Sequence, residues 1–417
     1  MKIAVIGAGI IGVTTAYELA CDGHEVTVLE RRGAAAEEAS FANAGLLTSG
    51  HITTWSDPSL PAKMLRHCLS RGGAIKARLP LSGRDMAWMW KWYHACKLET
   101  FSANLAPLQR LAHYSRERLH DLTASQKLEY ERSDGQMILL RTEQDSSAMQ
   151  LRLRILSDAG VAFKELNPIA ARKIEYGLNP DTALFGAIHL PNDEAGNCRQ
   201  FALMLKNDSL RRGVKFSFNT AVTHVASSTG IELGIAGEKT PRQYDAAVLC
   251  AGLDSIRLLQ PLSLKVPMTA VHGYSVSATI REPLNAPRSA VMDEHYKVTV
   301  SRLGNRVRVA GSTEIGGLPE KKYSGSFQTL YKVLHDWYPG AVNLSNGVQE
   351  WKGACPTLPD GLPILGASGI SKLWLNLGHG GNGWTLSCGS AKVLSDLINN
   401  KKPDFDTTGL EIARLHL

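Results

Sequence analysis

The chain opens on "MKIAVIGAGIIGVTTAYELA", and this stretch limits its fold more than any other. "KIAVI" is a short apolar strand, residues from Ile10 to Ala20 have helical character, and Gly7-Ala8-Gly9-Ile10-Ile11-Gly12 joins them. In a G-x-G-x-x-G turn the first glycine allows the tight bend. The second lets backbone approach a pyrophosphate, and the third permits close helix–strand packing. "HEVTVLE" alternates as a second strand and ends at Glu30, eighteen positions after Gly12. A carboxylate there accepts the hydroxyls of an adenosine ribose. Arg31 and Arg32 follow and suggest a 2′-phosphate partner, but Glu30 would repel that phosphate, so the spacing favours an unphosphorylated ribose. A glycine turn beside an exposed glutamate would explain either feature alone, not their joint placement.

With 417 residues the chain exceeds one simple core, and two domains are expected. An apolar share of 44% with 20% charged residues describes a globular protein. No apolar run approaches the ~18 residues of a membrane span, and the N-terminus lacks the basic region and cleavage pattern of a secretory signal. Seven scattered cysteines, without C-x-x-C or histidines at zinc spacing, read as reduced thiols in the cytoplasm, with no metal site. The net charge of +7 is spread without a basic block, which argues against nucleic acid as a partner.

Further along, "LQRLAHYSRERLHDL" has helical spacing. "VMDEHYKVTVSRLGNRVRVAG" alternates and turns at Gly304-Asn305, as an antiparallel hairpin does. Near the C-terminus, "LNLGHGGNGWTLSCGSAKVLSDLI" repeats the order strand, glycine loop, helix. "YDAAVLCAG", an apolar strand ending at Ala251-Gly252, resembles the second signature of two-dinucleotide-type flavoproteins, and Val222 lies on a preceding strand that can reach an adenine ring. The first motif does not separate NAD from FAD. Two glycine loops at opposite ends of the chain favour FAD, because its pyrophosphate and its isoalloxazine ring lie far apart. A second helix N-terminus can face the ring and stabilise the negative charge of reduction. On this reading Gly7, Gly9, Ile10, Ile11, Gly12, Glu30 and Arg31 hold one end of the cofactor. "SFANAGLL" adds Ser40, Asn43, Ala44, Gly45 and Leu46, and the C-terminal loop adds Gly378, His379, Gly380, Gly381, Gly383, Trp384 and Thr385. The expected fold is α/β: an FAD-binding Rossmann-like domain (1–75, 190–270 and 350–417) interleaved with an α+β substrate domain (76–189 and 271–349) built on an antiparallel sheet.

The pieces "VIGAGIIGVTTAYELA", "SFANAGLL", "PNDEAGNC", "DEHYKVTVSRLGNRVRVAG", "DWYPG", "PDGLPILG" and "LWLNLGHGGNGWTLSCGSAKVLSDL" together resemble the bacterial D-amino acid dehydrogenases (small subunit). These are a branch of the D-amino acid oxidase-like flavoproteins. The resemblance runs nearly end to end. It implies non-covalent FAD, oxidation of a D-amino acid to an imino acid, and electrons passed to a quinone or other respiratory acceptor instead of oxygen. It also implies that Tyr296, in "DEHYKV", addresses the substrate carboxylate; Tyr274 and His51 are further candidates, while His379 shapes the flavin loop. Oxidation of secondary amines (D-hydroxyproline, sarcosine, glycine) and a flavin-binding subunit of a larger complex are the alternative readings.

One departure stands out. Where the family pattern G-L-R-P-x-x-P-D-G has an arginine that grips the carboxylate bidentately, this chain reads Gly353-Ala354-Cys355-Pro356. Related amine oxidases attach flavin to a cysteine in this neighbourhood, but two positions further from the Pro-Asp. Either another cation (Lys352, Arg302 or Arg308) serves the carboxylate, or the substrate is not an ordinary free amino acid. Finally, "GRDMAWMWKWYHACK" interleaves Trp88, Trp90, Trp92 and Tyr93 with basic residues. Such a segment suits peripheral contact with the inner face of a bacterial inner membrane, and equally a helix pinned on the core by its tryptophans.

Overall fold

The structure, a computed structural model, describes residues 1–61, 64 and 75–415. The opening unit folds as strand β1 (Lys2–Ile6), helix α1 (Ile10–Cys21) and strand β2 (Glu25–Leu29). β1 and β2 pair in parallel, as their interior apolar runs require, and Ala246–Leu249 flanks β1 on its other side. Leu373–Leu377 and Lys215–Ser217 extend this sheet in parallel, and Ile364–Ala367 closes it antiparallel. Beginning, middle and end of the chain thus share one sheet. It is buried between α1, Cys198–Arg211 and Gly383–Ile398 on one face and Val222–Tyr244 on the other.

A second, larger sheet lies beside it; it is mostly antiparallel, as expected, but mixed, since Ala290–Asp293 pairs in parallel with Ser133–Leu140 and Ile75–Arg78 with Arg306–Gly316. Gln349–Thr357, Thr269–Thr279, Arg306–Gly316, Val298–Leu303, Ala290–Asp293, Ser133–Leu140, Gly186–Ala195 and Leu46–Leu47 follow one another across it. The hairpin of Val298–Leu303 with Arg306–Gly316 closes at Gly304-Asn305, where Gly304 has φ +56°. Strict alternation divides the two faces of this sheet. Tyr274, Val276, Val298, Val300, Val307 and Val309 pack against the helix Ser324–Trp337. Ser275, Ser277, Ser301 and Arg308 occupy the opposite face, under residues 42–44. Strands from 186–195 and 349–357 continue the sheet past the boundaries expected at 190 and 350.

The tryptophan-rich segment forms the helix Gly83–Ala95, with a capping box between Ser82 and Asp85. It carries apolar residues on both sides. Trp88 and Trp92 are buried, donating their indole N–H to the carbonyls of Thr357 (2.9 Å) and Trp55 (2.6 Å). Met86, Trp90 and Tyr93, spaced i, i+4, i+7, lie opposite and are 63%, 67% and 58% exposed. The buried face pins the helix on the core, as one of the two sequence readings expects.

Among the described residues no helix is long and apolar enough to cross a membrane, no His/Cys/Asp/Glu cluster is arranged to hold a metal, and the cysteines are unpaired.

Gly12 is fixed by packing. A Cβ there would lie 1.9 Å from the Gly7 carbonyl oxygen, a backbone atom that cannot move aside. Gly12→Ala should therefore lower unfolding free energy by at least about 3 kcal/mol, at the upper end of overpacking costs. Denaturant unfolding that matches the parent would show that the turn relaxes freely.

Candidate functional site

A groove runs along the carboxyl ends of the parallel strands, where open α/β sheets bind their ligands, and reaches the edge of the antiparallel sheet. It encloses about 1250 Å³ of non-protein space, open solvent included. Its lining runs from Gly7 and Glu30 at one end to Cys355 and Gly378–Gly381 at the other, an extent that suits a long ligand.

Its first end is built by the opening unit. Gly7, at φ +106°, turns the chain against Cys250, and a Cβ there would meet the Cys250 carbonyl at 2.6 Å. α1 then starts at Gly9 with no side-chain cap and no acidic residue in its first turn. Its early N–H groups need acceptors, and an anion at the groove provides them. One is taken by Ser40, whose hydroxyl accepts from the Ile10 N–H at 3.0 Å. Glu30, just past β2, accepts from the backbone N–H of Ala8 (2.7 Å) and Arg32 (2.8 Å). Two oxygens with about four lone-pair directions leave acceptors for further donors. Arg31 and Arg32 both bind Glu38, at 2.7 and 2.8 Å, so these guanidiniums are engaged away from a phosphate role.

The other end is built by the C-terminal loop. Leu373–Leu377 runs into Gly378 (φ +81°), a short turn at Gly380–Asn382 and the helix Gly383–Ile398, which again lacks a side-chain cap and an acidic first turn. Gly381 has nothing within 4 Å of where a Cβ would be. His379 is buried, its ring bonded to the Ser390 hydroxyl at 3.0 Å, and burial pulls its pKa down to about 3, so it stays neutral and shapes the loop. Thr357 bridges to His379 and so ties the strand Gln349–Thr357 to this loop. Ala354, Cys355 and Pro356 thereby enter the groove wall. Burial pushes the Cys355 thiol up to about 11.

Of the residues singled out in the sequence, Gly7, Gly9, Ile10, Ile11, Glu30, Arg31, Ser40, Asn43, Val222, Ala251, Gly252, Gly378, His379, Gly380, Gly381, Gly383 and Trp384 line the groove. Gly12, Ala44, Gly45, Leu46 and Thr385 stand behind it: the Ala44 carbonyl accepts from Ser301 (2.8 Å), and Thr385 bonds the Thr48 N–H (3.2 Å). The structure does not bring the other proposed substrate residues to the groove. Tyr274 faces the helix Ser324–Trp337 and donates to Glu314 at 2.7 Å, because strand alternation sets it beside Val276. Tyr296 packs on that same side, 5.0 Å from the Arg141 guanidinium. His51 is half-buried near Arg152, Glu294 and Asp57, and neutral, with desolvation first and Arg152 second lowering its pKa to about 3. Lys352 pairs with Tyr274 on the helix side and donates to the carbonyls of Leu318 and Lys321. Arg302 donates to Pro283, one residue out of step with the inward Ser301. Arg308 faces inward but is engaged with Ser277 and the Asn43 carbonyl.

Other lining residues, Ala36–Ala39, Thr220, Ala221, Leu253, Asp254 and Asn376, carry no motif of their own. Asn376 is the informative one. Its amide nitrogen donates to Thr15 at 2.9 Å, while its buried Oδ1 has no partner among the described residues. An unsatisfied buried acceptor, two uncapped helix starts and a carboxylate with spare lone pairs on one elongated groove fit a dinucleotide with a polar ring at its far end.

Comparisons with known proteins agree on this assignment. The family described as FAD dependent oxidoreductase matches residues 2–397. A D-amino acid dehydrogenase of Bradyrhizobium diazoefficiens is 37% identical over 416 residues, covering 99% of both chains. One from Cereibacter sphaeroides is 37% identical over 99% of this chain and 95% of its own. Among solved structures, a glycine oxidase from Geobacillus kaustophilus superposes with a TM-score of 0.75 at 22% identity over 99% of each chain, and one from Bacillus cereus with 0.74 at 18%, covering 96% of this chain and 95% of its own. At those identities the likeness is one of fold.

Glu30→Ala should weaken FAD binding by about 1–3 kcal/mol, the cost of stranding buried hydrogen-bond partners. Titrating apoprotein with FAD checks this. Affinity equal to the parent's would remove Glu30 from the ribose site.

Proposed function

The chain belongs to the FAD dependent oxidoreductase family, and on that premise we propose that it oxidises D-amino acids to imino acids, hydrolysed to 2-oxo acids, and passes the electrons to a quinone-type acceptor. The observation that carries this reading is the Thr357–His379 bridge, which joins the strand carrying Cys355 to the C-terminal glycine loop. It sets the antiparallel sheet, a platform for substrate, against the ring end of the cofactor groove. The near full-length relatives named for D-amino acid dehydrogenation supply the substrate class.

FAD, when bound, supplies a two-electron acceptor for the substrate's α-hydrogen. Glu30, Ser40 and the start of α1 would hold its adenosine and pyrophosphate. The start of Gly383–Ile398 would set positive dipole at the ring, where negative charge develops. The sheet's part is to aim the substrate C–H bond and exclude water, which supplies most of the rate in such a reaction. His51 and His379 are uncharged at neutral pH and the Cys355 thiol is protonated. None is poised as a base, so the substrate amine has to arrive neutral or lose its proton to solvent.

Cys355 favours a second reading within the same chemistry. A thiol offers one weak donor and no charge at the place where the resembled family has arginine. Lys352 and Arg302 are turned or bonded elsewhere. Secondary amines, held less by their carboxylate, are therefore the competing substrates. The exposed face formed by Met86, Trp90 and Tyr93, flanked by Arg84, Lys91 and Lys97, supports peripheral contact with an anionic membrane, where a quinone would be met.

A panel of D-amino acids and secondary amines with an artificial dye acceptor tests the reading. Turnover of D-amino acids with the dye and little peroxide in air is expected. Turnover of N-methyl or cyclic amines alone would replace the substrate class, and rapid peroxide formation would make the protein an oxidase. Cys355→Arg should lower KM for D-alanine roughly ten- to hundredfold, equivalent to the ~1.5–3 kcal/mol of a charge-assisted bond, with kcat changed less. Unchanged KM in a folded, flavin-loaded variant would show that residue 355 does not face the substrate carboxylate.

A further inference from the structure

Arg308 is a buried cation with no ion-pair partner among the described residues. It is 8% exposed, and no carboxylate lies within ion-pair distance among the described residues. Its Nε donates to the Ser277 hydroxyl at 2.9 Å and its Nη1 to the Asn43 carbonyl at 3.2 Å. Burial drags its pKa down to about 10; Cys198 and Glu131 oppose that shift, while Arg306 and Arg199 add like charge. A guanidinium with no ion-pair partner in a low-dielectric interior is costly to fold around. A hydroxyl or amide could have held the Asn43 carbonyl at less cost.

The geometry around it gives the charge a direction. Three consecutive carbonyls are gripped by the sheet: Ala42 by Ser275 (2.7 Å), Asn43 by Arg308, and Ala44 by Ser301 (2.8 Å). In a planar trans peptide the N–H points opposite to the C=O. The N–H groups of Asn43 and Ala44 therefore point away from the sheet, and Asn43 lines the groove. Neither N–H has an acceptor among the described residues. Arg308 polarises the Asn43–Ala44 peptide from behind, so positive potential is raised where Asn43 lines the groove, with the Ala44 N–H just behind that lining.

Resting on the reading of the groove as the FAD site, we propose that Arg308 is a positioning and charge-setting residue for the flavin: through the Asn43 carbonyl it stabilises the negative charge that the ring gains when a hydride, two electrons and one proton, is transferred to it. The same loop meets the helix start at Gly383 through Thr385, which bonds the Thr48 N–H and the Leu46 carbonyl. The Ser275 and Ser301 hydroxyls hold the same loop without charge, which separates the electrostatic role from the anchoring one.

The test uses FAD-loaded protein, reading the flavin reduction potential against reference dyes and the affinity for sulfite, whose addition places the same charge on the ring. Arg308→Gln, which keeps a donor toward Asn43, and Arg308→Met should each weaken sulfite binding about tenfold. By the two-electron relation this corresponds to a potential lowered by about 30 mV. Arg308→Lys should stay within about threefold of the parent, as should Ser301→Ala. Parent-like potential and sulfite affinity in FAD-loaded Arg308→Gln would overturn the proposal. So would an equal loss in Ser301→Ala, because loop anchoring would then explain both. A parent protein that takes up no FAD would instead defeat the reading of the groove itself. If Arg308→Met does not fold, Arg308→Gln and Arg308→Lys decide the matter through the same two measurements.

Discussion

Two helices, Ile10–Cys21 and Gly383–Ile398, begin on one groove with no side chain capping either. Orphaned N–H groups at a helix start have to be satisfied by something, and here Ser40 takes the Ile10 N–H while neither N-cap residue supplies a side-chain acceptor. The remaining architecture follows from keeping those two starts in register. β1, Ala246–Leu249 and Leu373–Leu377 lie side by side in one parallel sheet, so their carboxyl ends, and the loops that follow, open on one edge. Glycine at positions 7 and 12 permits the close approach on which that edge depends.

The second sheet is coupled to this edge through backbone more than through side-chain packing. Ser275, Arg308 and Ser301 hold three successive carbonyls of the 42–44 loop, and Thr357 bridges to His379. Hydrogen bonds to main-chain groups fix peptide orientation as well as position, so the sheet governs which way the loop's donors face. The two sheets are thereby held in one geometry, as the proposed hydride transfer would require.

Much of the groove was legible in the sequence because its determinants are local. A strand, a glycine turn and a helix start are adjacent in the chain, so Gly7, Gly9, Glu30 and the loop from Gly378 to Gly383 could be placed without knowing the fold. Residues such as Asn376, Thr220 and Asp254 were not legible, because only the strand order brings them to the same edge. The substrate side was harder for a different reason. Alternation indicates that Tyr274 and Ser275 face opposite ways, but not which of them faces the cofactor. The answer depends on the helix Ser324–Trp337 covering the face that carries Val276, Val307 and Val309. The tryptophan-rich helix has apolar residues on both sides, so its pattern supported a core and a surface assignment at once.

The most direct test of the central claim is the reductive half-reaction alone. FAD-loaded protein is mixed without oxygen with D-alanine and, separately, with L-alanine, and the visible flavin absorbance is followed. Bleaching by the D enantiomer at a rate that saturates with concentration, with no bleaching by the L enantiomer, is the expected result. A flavin that stays oxidised with every D-amino acid but bleaches with a secondary amine would contradict D-amino acid oxidation while leaving the cofactor site intact.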